Sequence, residues 1–258
     1  MESYSSFAQV YDEFMDETPY QQWAERLRTV LGQKEINSGL VAELGCGTGN
    51  ITGYLSANGY DMIGIDNSPE MLEIANQKKS QQQQDILYLL QDMQEFELYG
   101  TVRAIISVCD SINYIVEPDD LLTVFRLVNN YLDPGGLFVF DFNTSYKYRH
   151  ILGQQTIAEN REKGSFIWQN YYDDKERINE YDLTLFIKRD ENKQQASYLK
   201  YEETHFQRAY TLAEIIVLLE NAGLQLLATY DGYEEQPSHE KSERVLVVAQ
   251  EVMKCGDK

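Results

Sequence analysis

Three glycines at alternate positions could bring a polar ligand close to the backbone. Gly45, Gly47 and Gly49 follow the apolar run 40–44 and precede a segment with helical spacing. At such a junction, free N–H groups and the helix dipole favour an anion or another polar group. Asn50 stands where a G-x-G-x-x-G dinucleotide fingerprint requires glycine, and the Gly-Lys-Ser/Thr ending of a P-loop is missing. The loop therefore predicts a ligand site that uses neither of these motifs.

Two aspartates are predicted to follow at the ends of the next two strands. Asp66 lies 17 residues after Gly49, where an acid can accept hydrogen bonds from a ribose, and Asp92 closes the third strand. A carboxylate in that place suits free 2′- and 3′-hydroxyls and disfavours a 2′-phosphate. Each glycine alone could be a tight turn and each aspartate a helix cap. Together and in this order they indicate a ligand site at one edge of a sheet.

Residues 40–142 supply such a sheet, because strand-like and helix-like segments alternate along them. The predicted strands are 40–44, 62–65, 86–90, 104–108 and 137–142. Helices are predicted to begin at Ser68-Pro69 and at Pro118, and the glutamines 81–84 to form a polar loop. Strands alternating with helices predict βαβ units and a parallel sheet covered on both faces.

The pattern changes over residues 145–210, which we predict to be an antiparallel β insertion. Aromatic and β-branched residues alternate with polar ones in three segments, and charged turns separate them. The three predicted strands are 166–171, 181–187 and 198–201. We assign to this insertion either the roof of a substrate pocket or a contact with a second subunit.

The ends of the chain complete the organisation. Residues 1–35 are predicted to be helical, and a capping box at Thr211 begins a helix that is followed by two further strands. We expect N-terminal helices and the ligand-binding core in 1–144, the insertion in 145–210, and the end of the core in 211–258.

The net charge limits the partners. The 258 residues carry 22 Lys+Arg and 42 Asp+Glu, a formal charge of −20, and the insertion has eleven of each sign. Affinity for nucleic acids comes mostly from basic residues that neutralise phosphates, so we expect no nucleic-acid partner. A cationic or neutral small molecule, such as an amine, is a better match for the negative electrostatic field of this chain.

Cysteine usage and hydropathy predict a cytoplasmic protein. Cys46, Cys109 and Cys255 are odd in number and far apart, which predicts a reducing compartment, no disulfides and no zinc. The N-terminus lacks a signal peptide pattern, and the apolar runs fall far short of the roughly 18 residues of a membrane span. We expect no metal, no membrane contact, and a monomer or homodimer.

Several motifs resemble those of class I S-adenosylmethionine-dependent methyltransferases. They are residues 43–50 (ELGCGTGN), 65–72 (IDNSPEML) and 91–93 (QDM). Residues 7–12, 19–23, 109–114 and 203–208 resemble the YqeM-like small methyltransferases of Gram-positive bacteria. The resemblance implies a Rossmann-like α/β fold, with a seven-stranded, mostly parallel sheet covered by helices on both faces and the antiparallel insertion after the fifth strand.

The resemblance also implies a set of residues that bind S-adenosyl-L-methionine. The glycine loop would lie against its methionine part, Asp66 would take the ribose hydroxyls, and Asp92 with the Met93 backbone would take the adenine. Lid helices would cover the cofactor. The expected set is Tyr11, Tyr20, Trp23, Glu43, Gly45, Cys46, Gly47, Gly49, Asp66, Asn67, Met71, Asp92, Met93 and Cys109. Tyr11, Tyr20 and Trp23 could alternatively be ordinary core residues of an amphipathic helix.

Methyl transfer from a sulfonium is an in-line displacement, in which positioning supplies most of the acceleration. A base is needed only if the acceptor must lose a proton. His205, between Glu203 and Arg208, is the predicted base, and a structural histidine is its alternative. Asp110 and Tyr114 complete the catalytic candidates, and Asn113, Tyr114, Trp168 and Arg208 are the predicted substrate-binding residues.

These features predict an enzyme that methylates an amine or hydroxyl of a small-molecule acceptor. The alternatives are a methyltransferase acting on tRNA or protein, and a sensor that binds S-adenosylmethionine without converting it. An oxidoreductase is disfavoured by Asn50.

Overall fold

The computed structural model describes residues 8–189 and 197–254. The helices are α1 (Ala8–Phe14), α2 (Tyr20–Gly32), α3 (Asn50–Ala57), α4 (Pro69–Gln82), α5 (Pro118–Tyr131) and α6 (Leu212–Asn221). The strands are β1 (Gly39–Leu44), β2 (Tyr60–Asp66), β3 (Ile86–Leu90), β4 (Val102–Ser107), β5 (Leu132–Asn143), β6 (Thr156–Asn160), β7 (Gly164–Asp173), β8 (Ile178–Lys188), β9 (Tyr198–Arg208), β10 (Leu224–Asp231) and β11 (Arg244–Glu251). A 3₁₀ turn covers Ser111–Tyr114 and a π-helical turn covers Lys147–Leu152.

Seven strands form one sheet in the order β10-β11-β5-β4-β1-β2-β3. Strands β1 to β5 are parallel to one another, whereas β11 is antiparallel to its neighbours β5 and β10. The start of β11 therefore lies beside the end of β5, and Arg244 pairs with Asn143. Strands β6 to β9 form a separate antiparallel sheet. The predicted α/β class is thus confirmed, with the insertion after the fifth strand.

Helices cover both faces of the large sheet. Side chains alternate along β5, so that Phe138 and Phe140 pack against Phe125 of α5. Leu137 and Val139 point to the other face, where they join the cluster that α2 and α3 cover. None of the helices in the described ranges is long and apolar enough to cross a membrane.

The small sheet is attached to the core at three places. Val10 and Phe14 of α1 pack into its apolar face together with Tyr181, Leu183 and Leu185. The buried Asn113 amide donates to the backbone carbonyls of Asn143 and Arg208, at 3.0 and 2.8 Å. On the far side, Arg177 donates to both carboxylate oxygens of Glu214 in α6, at 2.7 and 2.6 Å. The insertion is therefore held between the N-terminal helices and the core.

The structure differs from the sequence-based boundaries in several elements. Strand β9 continues to Arg208, beyond the predicted end at residue 201. Gln81 and Gln82 were expected in a loop but form the last turn of α4, which polar residues with good helix propensity can extend. Strand β6 and the π-helical turn, which contains the exposed His150, were not predicted. Strand β5 begins at Leu132 and not at residue 137, because Leu132 pairs with Val102 and the residues after it form a bulge. Cys255, residues 1–7 and most of the predicted turn 189–193 lie outside the described residues.

The Arg177–Glu214 pair makes the stability of the docked insertion depend on pH. Burial opposes ionisation of Glu214, but hydrogen bonds from Arg177 and Thr211 outweigh it and lower the pKa to about 2. A carboxylate whose pKa is lower in the folded than in the unfolded protein stabilises the fold above the unfolded pKa, which is about 4.3. The wild type should therefore be more stable than Glu214→Gln near neutral pH.

This stability difference should shrink as the pH falls from about 5 towards about 2, because the carboxyl is protonated first in the unfolded state and in the folded state only near its pKa of about 2. Urea unfolding of the two proteins at several pH values measures it. Glu220→Gln, an exposed acid on the same helix, is the matched control and should show no such trend. A Glu214→Gln difference that stays constant with pH would contradict this account of the contact.

Candidate active site

The three glycines after β1 have different tasks. All have positive φ values, +70° at Gly45, +53° at Gly47 and +76° at Gly49. A Cβ at Gly49 would lie 2.3 Å from the Tyr88 hydroxyl oxygen, and Gly49 caps α3, so its role is in packing. A Cβ at Gly47 would meet no described atom within 4 Å. Gly47 therefore borders open space on the side where a ligand could lie.

Asp66 joins this loop to the end of β2. Its carboxylate accepts hydrogen bonds from the backbone N–H groups of Gly47, at 2.7 Å, and Ser68, at 2.9 Å. Burial raises the pKa of Asp66, while these hydrogen bonds act in the opposite direction. Each oxygen keeps a lone pair for a further donor. The carboxylate is thus fixed in place and still able to accept hydrogen bonds from a ligand.

A cavity of about 270 Å³ lies at the carboxyl ends of β1 to β4. Nine of the predicted cofactor residues line it: Tyr11, Gly45, Gly47, Asp66, Asn67, Met71, Asp92, Met93 and Cys109. Gln91, Gln94, Ser111, Tyr114 and Ile115 complete the described wall. Because carboxylates, backbone groups and methionine side chains all face this space, it suits a ligand with hydroxyls, an amine and a flat apolar ring.

The remaining predicted cofactor residues lie behind or beside this cavity. Tyr20, Glu43 and Cys46 line a small crevice behind the glycine loop. Glu43 is 2% exposed and accepts a short hydrogen bond from Thr52, and burial raises its pKa to about 8. Trp23 lines a different, second cavity. Direct contact of these four side chains with a ligand in the first cavity therefore stays a prediction.

The second cavity, of about 350 Å³, lies between the N-terminal helices and the insertion. Aromatic and aliphatic side chains form most of its wall: Phe14, Met15, Trp23, Leu152, Ile157, Phe166, Trp168, Tyr181 and Leu183. Its polar side consists of Thr18, Asp110, Asn143, Lys147, Gln207 and Arg244. Tyr11, Cys109 and Tyr114 line this cavity and the first one. The two spaces are thus neighbours that meet at these three residues.

Helix α1 holds Tyr11 between the cavities through Asp12. The Asp12 carboxylate accepts hydrogen bonds from Thr48 at 2.8 Å and Asn50 at 3.0 Å, and pairs with Lys78 at 2.6 Å. Burial opposes ionisation of Asp12, but these partners outweigh it and lower its pKa. The helix is therefore fixed to the glycine loop, and its tyrosine is placed over the boundary.

The predicted catalytic residue Asp110 is already engaged. Arg244 pairs with Asp110 at 2.6 Å and with the fully buried Asp141 at 2.8 Å, and Gln207 donates to the other Asp110 oxygen at 2.7 Å. Both oxygens of Asp110 thus have partners within the protein. Asp110 borders the second cavity, but the geometry favours a structural task over proton transfer.

Three other predicted residues are placed away from the cavity walls. The described walls do not include His205, whose fully buried ring stacks on Tyr181 at 4.7 Å and lies 3.2 Å from the Glu203 carboxylate. Asn113 ties the 3₁₀ turn to β5 and β9. Arg208 donates to the Val116 carbonyl at 3.0 Å. The structure therefore does not bring these three side chains to the cavities, whereas it does bring Trp168 and Tyr114 there.

Sequence reasoning missed Asn143, Lys147, Gln207 and Arg244. Asn143 and Lys147 lie at and just after the carboxyl end of β5. Because ligands bind at the carboxyl ends of parallel strands, the reasoning that indicated Asp66 and Asp92 could have found these two residues. Arg244 opens the antiparallel β11, which reaches the same edge from the opposite direction, and no local signal gives that direction. Within the described residues, no group of three or more His, Cys, Asp or Glu could hold a metal ion.

Comparisons with known proteins agree with this geometry. Residues 41–136 match the family model of a methyltransferase domain. The chain is 36% identical to YqeM of Bacillus subtilis (strain 168) over 96% of both chains, and 34% identical to a relative from Geobacillus sp. (strain WCH70) over 96% of this chain and 99% of the relative; both are named as methyltransferases. It superposes on an S-adenosylmethionine-dependent methyltransferase from Clostridium acetobutylicum with a TM-score of 0.85, 26% identity, and coverage of 96% of this chain and 99% of that chain.

The strand order, the glycine loop and the acidic strand ends define a class I S-adenosylmethionine-dependent methyltransferase. Within that class, the chain belongs to the family of methyltransferases that includes YqeM of Bacillus subtilis. The cofactor is S-adenosylmethionine, and the residues present fit it. The open space beside Gly47 and the carboxylates of Asp66 and Asp92 face one cavity, as a nucleoside with free hydroxyls requires.

A valine at position 47 should occupy space that the cofactor needs. Gly47→Val should weaken binding of S-adenosylhomocysteine at least about tenfold, which corresponds to about 1.4 kcal/mol. Isothermal titration calorimetry measures this affinity. Gly232→Val is the matched control, because Gly232 has a similar φ of +56° and also has no described atom within 4 Å of an added Cβ, but lies outside both cavities.

Both variants carry the cost of a side chain in the left-handed region, roughly 1–2 kcal/mol. A loss of stability should therefore appear in both, and a loss of cofactor affinity in Gly47→Val alone. Equal affinities in the two variants would show that the cofactor does not lie beside Gly47.

Proposed function

We propose that this enzyme methylates a nitrogen or oxygen atom of a small-molecule acceptor held in the second cavity. The observation that carries the proposal is the shared boundary of the two cavities at Tyr11, Cys109 and Tyr114. A group transferred in line must pass directly from donor to acceptor, so the two must meet at such a boundary.

We assign the first cavity to S-adenosylmethionine, which supplies an activated methyl group on its sulfonium. Asp66 would accept hydrogen bonds from the ribose hydroxyls, Asp92 would accept one from the adenine amino group, and the Met93 N–H would donate one to an adenine ring nitrogen. Because Gly47 has no side chain, the cofactor can approach the backbone of the glycine loop closely. All four residues line that cavity, and their backbones are fixed by strands β1 to β3 and the turns that follow.

Tyr114 is the residue that we assign to the acceptor atom. Its hydroxyl makes a short hydrogen bond with that of Tyr181, and both tyrosines line the acceptor cavity. Tyr181 in turn stacks on His205, which lies beside Glu203. His205 is therefore a positioning residue for the tyrosine pair, and Tyr114 orients the acceptor lone pair toward the methyl group.

The size and enclosure of the second cavity support a small acceptor. Helices α1 and α2 and strands β6 to β8 wall it, and its volume of about 350 Å³ matches the range of small-molecule sites. The chain's net charge of −20 and the neutral insertion provide little attraction for RNA. Enclosure and charge together favour a small molecule over a macromolecule.

Transfer of a labelled methyl group tests the proposal. The purified protein is incubated with methyl-tritiated S-adenosylmethionine and an extract of Bacillus subtilis cells lacking YqeM, in which the acceptor of that relative should remain unmethylated. Ultrafiltration then separates small molecules from RNA and protein. Label in a new small-molecule species is expected. Label on RNA or protein would show a macromolecular acceptor and contradict the proposal. The absence of transfer would favour a sensor that binds S-adenosylmethionine without converting it.

In the same assay, Tyr114→Phe should lower transfer about tenfold to a hundredfold, because the hydroxyl that orients the acceptor is lost while the ring remains. Calorimetry with S-adenosylhomocysteine should give an affinity equal to that of the wild type. Tyr171→Phe, a half-exposed tyrosine on the insertion, is the control and should be fully active. Unchanged transfer by Tyr114→Phe would remove this residue from the reaction.

A further inference from the structure

Lys147 brings a positive charge to the wall of the acceptor cavity. It is the first residue of the π-helical turn after β5, and its half-buried side chain faces the cavity. Its Nζ donates to the Asn143 side-chain oxygen at 3.0 Å. An ammonium group has three donors, so two remain for other acceptors.

The acids nearest to Lys147 are committed to other partners. Asp110 and Asp141 form ion pairs with Arg244 at 2.6 and 2.8 Å. Asp141 also accepts hydrogen bonds from the backbone N–H groups of Cys109 and Asp110. No carboxylate of a described residue forms an ion pair with Lys147. Burial and the neighbouring Arg244 lower the pKa of Lys147, while the carboxylates of Asp110, Asp141 and Glu243 act in the opposite direction without outweighing them. A negative charge in the cavity would offset both effects.

Trp168 adds a second donor to the same cavity. Its indole Nε1 is buried, and within the described part of the chain it has no hydrogen-bond acceptor. Leaving a buried donor unpaired is costly, and a tryptophan N–H at a binding surface usually finds a partner. Two residues of the cavity wall thus have donors that are free for a further hydrogen bond, and one of these donors is charged.

We propose that the methyl acceptor is a carboxylic acid with an apolar or aromatic body, and that Lys147 binds its carboxylate with Trp168 as a second donor. This inference rests on the proposed function, because it names the substrate class of that site. The aromatic wall of Phe14, Trp23 and Phe166 covers the body of the acceptor. Anchoring the carboxylate at Lys147 leaves the nitrogen or oxygen free to reach the boundary at Tyr114.

The acidity of the whole chain does not oppose this assignment. Interactions between exposed charges fall off within about 8 Å at physiological ionic strength, so the groups that line the cavity affect a ligand there more than the distant charges of the −20 total do. Asp110 and Asp141 pair with Arg244, whereas Lys147 lines the cavity and forms no ion pair with a described residue. Local charge therefore supports an anionic ligand, in place of the cationic or neutral one that the net charge of the chain favours.

Calorimetry with three matched probes tests the carboxylate site. The full chain, saturated with S-adenosylhomocysteine, is titrated with phenylacetate, phenylacetamide and phenethylamine at neutral pH. Phenylacetate should bind about tenfold to a hundredfold more tightly than the other two, as expected for a hydrogen-bonded charge pair. Lys147→Met should abolish this preference and leave the affinity for S-adenosylhomocysteine unchanged.

Two further variants separate binding from folding. Lys147→Arg should retain the preference for the acid, and Trp168→Phe should weaken phenylacetate binding a few fold while keeping the aromatic wall. Lys175→Met, at an exposed lysine in the turn between β7 and β8, should behave as the wild type. Equal binding of the three probes, no binding of the acid, or a preference that survives Lys147→Met overturns the inference.

The labelled product supplies an independent readout. If transfer occurs, the new small-molecule species should carry a carboxylate, so that an anion exchanger retains it at a pH above about 11, where any amine is neutral. A product without a carboxylate overturns the inference. Because the probes report binding and the label reports transfer, loss of the acid preference leaves the proposed methyl transfer intact.

Discussion

The buried carboxylate of Asp141 holds together the region where the two cavities meet. It is fully buried in β5 and accepts hydrogen bonds from the backbone of Cys109 and Asp110, from Tyr233 at 2.5 Å, and from Arg244. A buried charge is stable only when it is paired and hydrogen-bonded in this way. These bonds stabilise the left-handed conformations of Cys109 and Asp110, with φ values of +58° and +53°, which cost roughly 1–2 kcal/mol each.

This turn determines where the boundary residues lie. After β4, the chain reverses at Cys109 and Asp110 and enters the 3₁₀ turn that carries Tyr114. Cys109 and Tyr114 thereby come to line both cavities, and Tyr11 reaches them from α1, which Asp12 fixes to the glycine loop. The buried Asp141 in β5 and the Asp12 contact of α1 thus place the residues that line both cavities next to one another.

The sequence predicted the parts of the site that depend on local pattern. Glycines at a strand-to-helix junction and aspartates at strand ends are visible without tertiary structure, and the residues around Asp66 and Asp92 do line one cavity. Arg244 and His205 depend on long-range geometry instead. The direction of β11 brings Arg244 to the site, and the register of β8 with β9 places His205 opposite Tyr181, in the core of the insertion. Periodicity predicts strands but does not fix which residues face each other across them.

The two cavities draw on different parts of the chain. The matched methyltransferase domain, residues 41–136, supplies nearly the whole wall of the cofactor cavity. The second cavity, which we assign to the acceptor, takes Cys109, Asp110 and Tyr114 from that domain, and its other described lining residues come from the segments before and after it. Changes in α1, α2 or the insertion can therefore alter the acceptor preference during evolution, while the residues that bind the methyl donor stay the same.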